Sequence, residues 1–110
     1  MVLSSDRGTL ADAYRIGILN DMHLEYDSAK RAANLRKHGV DLEDASPVLF
    51  DPRALVREDV DAKGEQRFVA VGMDALGRIL TVVYTYRPPD TVRLISARPA
   101  TRREQQAYET

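Results

Sequence analysis

The chain has 110 residues, 44 % hydrophobic and 30 % charged, with no cysteine, two histidines and a net charge of −1. That length suits one small domain. The composition excludes disulfide staples and a cysteine nucleophile, argues against a closed zinc site or an aromatic cage, and offers no apolar run near the ~20 residues of a bilayer span.

Residues 1–21 read as an extension without a secretion signal. Within it, Leu10, Ala13, Tyr14 and Ile18 fall near helical spacing. The expected compact domain is 22–110. It opens on a predicted strand, Leu24-Glu25-Tyr26. Asp27 is a good N-cap for a helix from Ser28 to Lys37, and Gly39 fits the left-handed position past its end. Ala29, Ala32 and Leu35 are expected on the inner face of that helix. Lys30, Asn34 and Lys37 share another face, either a solvated surface or a track for phosphates.

Asp41 begins a second helix, with Leu42, Ala45, Leu49 and Phe50 as core candidates. Pro47 requires it to be short or distorted, and Asp51-Pro52 ends it. Ala54 to Glu58 is a predicted strand, and the acidic stretch Asp59 to Glu65 a loop. Three further strands are predicted over Gln66–Val71, Ile79–Tyr86 and Val92–Ala97. A hairpin at Asp74–Gly77 and a turn at Arg87-Pro88-Pro89-Asp90 connect them. Thr101 opens a final helix to Tyr108. Short connections favour antiparallel neighbours. The expected fold is therefore α+β, an antiparallel sheet packed with N-terminal helices and a C-terminal helix.

The neutral total hides an uneven distribution. Residues 1–65 carry 9 basic and 13 acidic side chains, residues 66–110 carry 7 basic and 4 acidic, and all seven basic residues of the second part are Arg. Guanidinium groups suit bidentate partners such as phosphate and carboxylate. Arg102 and Arg103 stand in the first turn of the last helix, where cations oppose the helix dipole. Stability alone would place acids there, whereas an anion site would place Arg there. Thr101 and Glu104 form a T-x-x-E capping box, which gives Glu104 a purely structural explanation. His38 suits proton transfer near neutrality, or equally a cation favouring the end of its helix. Tyr84 and Tyr86 share one strand face and suit either base stacking or a half-buried sheet. No phosphate loop, metal motif or nucleotide fingerprint is present. Phosphodiester cleavage by such residues points to RNA, whose 2′-OH supplies the nucleophile.

The run from Tyr26-Asp27-Ser28-Ala29-Lys30 through Asn34-Leu35-Arg36-Lys37-His38-Gly39-Val40 resembles the opening of the BrnT toxins. The likeness continues in Glu65-Gln66-Arg67-Phe68, Gly77-Arg78 and Val82-Val83-Tyr84-Thr85. It ends in Arg93-Leu94-Ile95-Ser96-Ala97-Arg98, then Thr101-Arg102-Arg103-Glu104 and Tyr108. The resemblance implies a RelE-like fold and a ribonuclease toxin of a type II toxin–antitoxin pair that inhibits translation in the bacterial cytoplasm. It implies an RNA substrate, no metal or other cofactor, and neutralisation by a BrnA-like ribbon-helix-helix antitoxin. Operator DNA would be met only through the complex, and no membrane is involved. By motif position it nominates His38, Arg67, Arg98 and Glu104 for catalysis. Lys30, Lys37, Arg78, Tyr84, Arg102 and Tyr108 are nominated for substrate contact.

Overall fold

The structure, a computed structural model, describes residues 22–110. The expected extension 1–21, with its suggested helical spacing, lies outside the described residues.

Strand β1, His23–Glu25, leads into helix α1, Ser28–His38. The Asp27 carboxylate accepts the backbone N–H groups of Ala29 at 2.7 Å and Lys30 at 3.2 Å. Those bonds satisfy two donors that a helix start otherwise leaves free. Gly39 at φ 71° closes the helix, and its N–H donates to the Leu35 carbonyl. Helix α2, Leu42–Ala45, is a single turn capped by Asp41. It tightens into a 3₁₀ helix, Ser46–Phe50, with Pro47 in its first turn. The proline thus sits where its missing N–H costs nothing, and the segment is short and distorted as expected.

The rest is sheet and one more helix. Strands β2 (Leu55–Glu58), β3 (Phe68–Met73), β4 (Ile79–Arg87) and β5 (Thr91–Pro99) precede helix α3, Arg102–Glu109. The strand order is β1-β5-β4-β3-β2. Pairings β2–β3, β3–β4 and β4–β5 are antiparallel, and β1 lies parallel to β5. The architecture is α+β, as expected, with a mixed rather than wholly antiparallel sheet. The hairpin argument governs only strands joined by short loops, and β1 is separated from β5 by most of the domain.

Val40, Leu42, Ala45, Val48 and Leu49 pack as one buried cluster with Ala70, Leu80, Val82, Tyr84, Leu94 and Ala97 of the sheet. Full burial of each larger apolar side chain contributes about 1.5–3 kcal/mol. Gly72 lets the 3₁₀ helix approach, because a Cβ there would stand 3.1 Å from Val48 Cγ1 and 3.2 Å from Asp51 Oδ2.

Helix α1 packs differently from the sequence expectation. Ala29 and Ala32 are exposed, and Leu35 is 50 % exposed. The inward residues are instead Arg31, Asn34 and His38. Strand β1 covers only Thr91–Arg93 of β5. Beyond it, the buried Asn34 side chain pairs with the β5 edge. Its Nδ2 donates to the Ala97 and Val40 carbonyls, both at 2.8 Å, and its Oδ1 accepts the Ala97 N–H at 3.1 Å. One side-chain amide thereby replaces a missing strand, which apolar residues at this position could not do. Arg31 ties the same helix to Asp41 at 2.7 and 2.9 Å and to Glu43 at 2.8 Å.

Candidate functional site

Alternation along the strands separates two sheet faces. Ala70, Leu80, Val82, Tyr84 and Leu94 point at α2 and the 3₁₀ helix. The other face follows from register. Arg57 pairs with Val69, Val69 with Val83, and Val83 with Ser96. Leu55 pairs with Val71, Val71 with Thr81, and Thr81 with Arg98. Arg67 leads into β3, and its carbonyl accepts the Asp59 N–H at 2.8 Å, which continues the ladder by one residue. Arg67 therefore stands beside Thr85, which pairs with Arg93, which pairs with Glu25.

At the β1 end, this second face is a guanidinium cluster. Arg93 and Arg57 have no ion-pair partner among the described residues, and Arg67 reaches only Glu65, at 3.5 Å. The Arg67 Nε is buried without a hydrogen-bond partner among the described residues. Buried unsatisfied donors are rare, since each costs about 1–3 kcal/mol. Arg87 adds a fourth guanidinium, 3.3 Å from Glu25 and 3.9 Å from Glu65. These contacts are long and half-exposed, so they hold the cations weakly. Such a surface suits a polyanion.

The other end of the face is tightly bonded. The Arg98 guanidinium grips Glu104 with two bonds, at 2.8 and 3.0 Å. The Thr81 hydroxyl donates to Glu104 at 2.9 Å and the Thr101 N–H at 2.8 Å. The Glu104 N–H returns a bond to the Thr101 hydroxyl, completing the expected capping box. Arg98 above all, helped by those N–H and hydroxyl donors, holds the Glu104 carboxyl at about 2. A carboxylate this acidic, with four donors on it, is a poor proton acceptor at neutral pH.

The same bonds set an acid sensitivity. The folded value lies below the ordinary 4.5, so the stabilisation is full above pH 4.5 and disappears as pH falls towards about 2. With Arg98 39 % exposed, screening reduces the contribution to about 1–2 kcal/mol. Glu104→Gln is expected to be less stable than the parent by that amount at pH 7, and denaturant titrations of the two should converge near pH 2.

The remaining nominated residues scatter. His38 ends α1, half-buried and without a side-chain hydrogen bond among the described residues, about 16 Å of helix rise from the Asp27 end near Arg93. The structure does not bring it together with Arg67. Lys30, Lys37 and Arg102 are exposed. Arg78 is bonded through its Nε to the buried Asp74 at 2.8 Å, within the β3–β4 hairpin.

Both nominated tyrosines are buried. Tyr84 is 2 % exposed, and its ring stacks on Phe68 with centroids 5.6 Å apart. Burial pushes its phenol well above the ordinary range. It lies on the core face and cannot stack on a base. Tyr84→Phe is expected to change stability by less than ~1 kcal/mol, whereas Tyr84→Ala costs about 3–5 kcal/mol. Thermal melts check both. Tyr108 is also buried, and its hydroxyl donates to Asp51 Oδ2. Burial acts to raise the Asp51 carboxyl, but bonds from Tyr108 and from the Met73 and Arg53 N–H groups outweigh it and hold the carboxyl low. Tyr108 thus fastens the end of α3 to Asp51. Arg57, Arg87 and Arg93 were absent from the nominated set. Their common face becomes visible only through strand register, although Arg93 interrupting an apolar strand is a signal in the sequence itself.

Among the described residues, no group of three or more His, Asp or Glu is placed to hold a metal ion, and no helix is long and apolar enough to cross a membrane.

The domain is thus α+β, with a sheet face whose loosely paired guanidinium groups suit an anionic partner. A family profile described as the ribonuclease toxin, BrnT, of type II toxin–antitoxin systems matches residues 26–104. The chain belongs to the BrnT family. Its fold matches the crystal structure of the Brucella abortus ribonuclease toxin BrnT, with TM-score 0.60 and 28 % identity over 74 % of this chain and 99 % of that one. No curated protein sequence matches.

Proposed function

We propose that this toxin is a metal-independent endoribonuclease that arrests translation, and that it binds RNA on the sheet face bearing Arg57, Arg67 and Arg93. The observation that carries this reading is the loosely paired guanidinium row with a buried, unspent Arg67 donor. A fold under selection for stability alone would pair or remove that donor. In the reaction, the 2′-oxygen attacks phosphorus and the 5′-oxygen leaves. Negative charge grows on the phosphoryl oxygens, where fixed guanidinium groups stabilise it. Lys30, Lys37 and Arg102 supply flanking phosphate contacts. Arg98 and Glu104 hold α3 in place. His38, at the far end of α1, serves the flanking strand rather than the scissile group.

The cognate partner in this reading is a BrnA-like ribbon-helix-helix antitoxin, which masks the cationic face and carries the complex to operator DNA in the cytoplasm. Residues 22–110 form the toxin domain, with 1–21 as an extension to it. Induced expression of the full chain tests the proposal. Growth and amino-acid incorporation should stop, and co-expression of the antitoxin should restore both. Unaffected growth would overturn the toxin reading. Salt-sensitive RNA binding without cleavage would leave a binding module.

A further inference from the structure

Resting on the ribonuclease reading, we propose that Glu65 is the catalytic base, a carboxylate seated between Arg67 and Arg87 that takes the proton from the attacking 2′-OH. Among the described residues, the carboxylates in ion-pair contact with the arginines of this face are Glu25, Glu65 and Glu104. Glu104 is bonded by four donors and lies two register pairs away from Arg67, at the Arg98 end. His38 stands at the opposite end of α1 from Arg93. Glu25 touches Arg87 from β1. Glu65 is different because its two oxygens face two different guanidinium groups. Its Oε2 is 3.5 Å from Arg67 and its Oε1 is 3.9 Å from Arg87. Neither contact is short, and the carboxylate is 42 % exposed. It is held near the cations but not spent on them.

That placement is what a base needs. A phosphate bound to Arg67 and Arg93 replaces the weak Arg67–Glu65 contact and leaves the carboxylate beside the ribose. A catalytic group often makes only long contacts until substrate is bound. The 2′-oxygen then forms a bond to phosphorus, its proton passes to Glu65, and the P–O5′ bond breaks. The 5′-oxygen leaves with a proton from water, and the resulting hydroxide takes the proton back from Glu65. The products are a 2′,3′-cyclic phosphate and a 5′-hydroxyl. The Glu65 charge also repels the phosphate it serves, so the carboxylate weakens binding while it speeds cleavage.

The two effects have opposite signs, and that makes the test specific. The full chain and its Glu65→Gln and Glu65→Asp variants are compared on a labelled single-stranded RNA and on ribosomes carrying messenger RNA. Glu65→Gln is expected to cleave at least ~100-fold more slowly, yet to bind RNA as tightly as the parent or tighter. Glu65→Asp should recover part of the rate. Parent-like cleavage by Glu65→Gln would overturn the assignment alone. Failure of the parent to cleave either substrate would overturn the ribonuclease reading and the assignment together.

Discussion

Arg67→Ala is expected to cut RNA cleavage by at least ~100-fold and abolish growth arrest while leaving stability unchanged or slightly higher. The two halves of that expectation come from one atom group. In the folded chain the Arg67 Nε is buried without a partner among the described residues, and the Glu65 carboxylate stands 3.5 Å from the Arg67 Nη2 instead. Removing an unsatisfied donor relieves its desolvation cost, about 1–3 kcal/mol, and offsets the packing lost with the side-chain stem. For the reaction, a fixed cation at the phosphoryl group is worth about 2.7–4 kcal/mol of barrier, or 10²–10³ in rate. Arg67→Lys should restore only a small part, since an ammonium cannot reproduce bidentate contact. Thermal melts beside cleavage rates check the pair. A large loss of stability with unchanged specific activity would assign Arg67 to the fold instead.

Asn34→Leu carries the largest expected cost to the fold. The substitution keeps the number and branching of side-chain heavy atoms and removes three buried bonds, to the Val40 carbonyl and to both backbone groups of Ala97. Each orphaned backbone group costs about 1–3 kcal/mol, so the variant should lose about 3–5 kcal/mol. For a domain of this size, that lowers the melting temperature by more than ~10 °C. The loss should appear as fraying of the β5 edge first, with rapid amide exchange at Ala97. A variant within ~1 kcal/mol of the parent would show that water replaces the amide there.

Local structure was legible where a residue type leaves little choice. Asp27 and Gly39 bracket α1 to within one residue, Pro47 shortens α2, and Thr101 with Glu104 starts α3. Turn residues placed all four later strands to within two residues at either end. Direction across the sheet was less legible. Nothing in the three residues of β1 states that they lie parallel to β5. The inner face of α1 is not legible from hydrophobicity, which ranks Ala and Leu above Asn, whereas the unfilled β5 edge needs hydrogen bonds. Alternation put Tyr84 and Tyr86 on one face but could not say which face was the core. Leu80 and Val82 decide that, by facing α2 and the 3₁₀ helix.

The candidate site shows the same division. The arginine-rich second half was visible in the composition, and Arg67 in the family resemblance. The grouping of Arg57, Arg67, Arg87 and Arg93 with Glu25 and Glu65 depends on pairings between strands far apart in sequence. No spacing along the chain encodes that arrangement. Arg98 and Glu104 were nominated by position, and the structure shows what each spends its charge on.

The most direct test is an end-labelled single-stranded RNA incubated with the purified toxin in excess EDTA, beside the same RNA carrying 2′-O-methyl groups. Cleavage of the first RNA to 2′,3′-cyclic phosphate ends, with the methylated RNA intact, is the predicted result. Cleavage that stops in EDTA, or that proceeds equally on the methylated RNA, would contradict attack by the 2′-oxygen on a guanidinium-held phosphate.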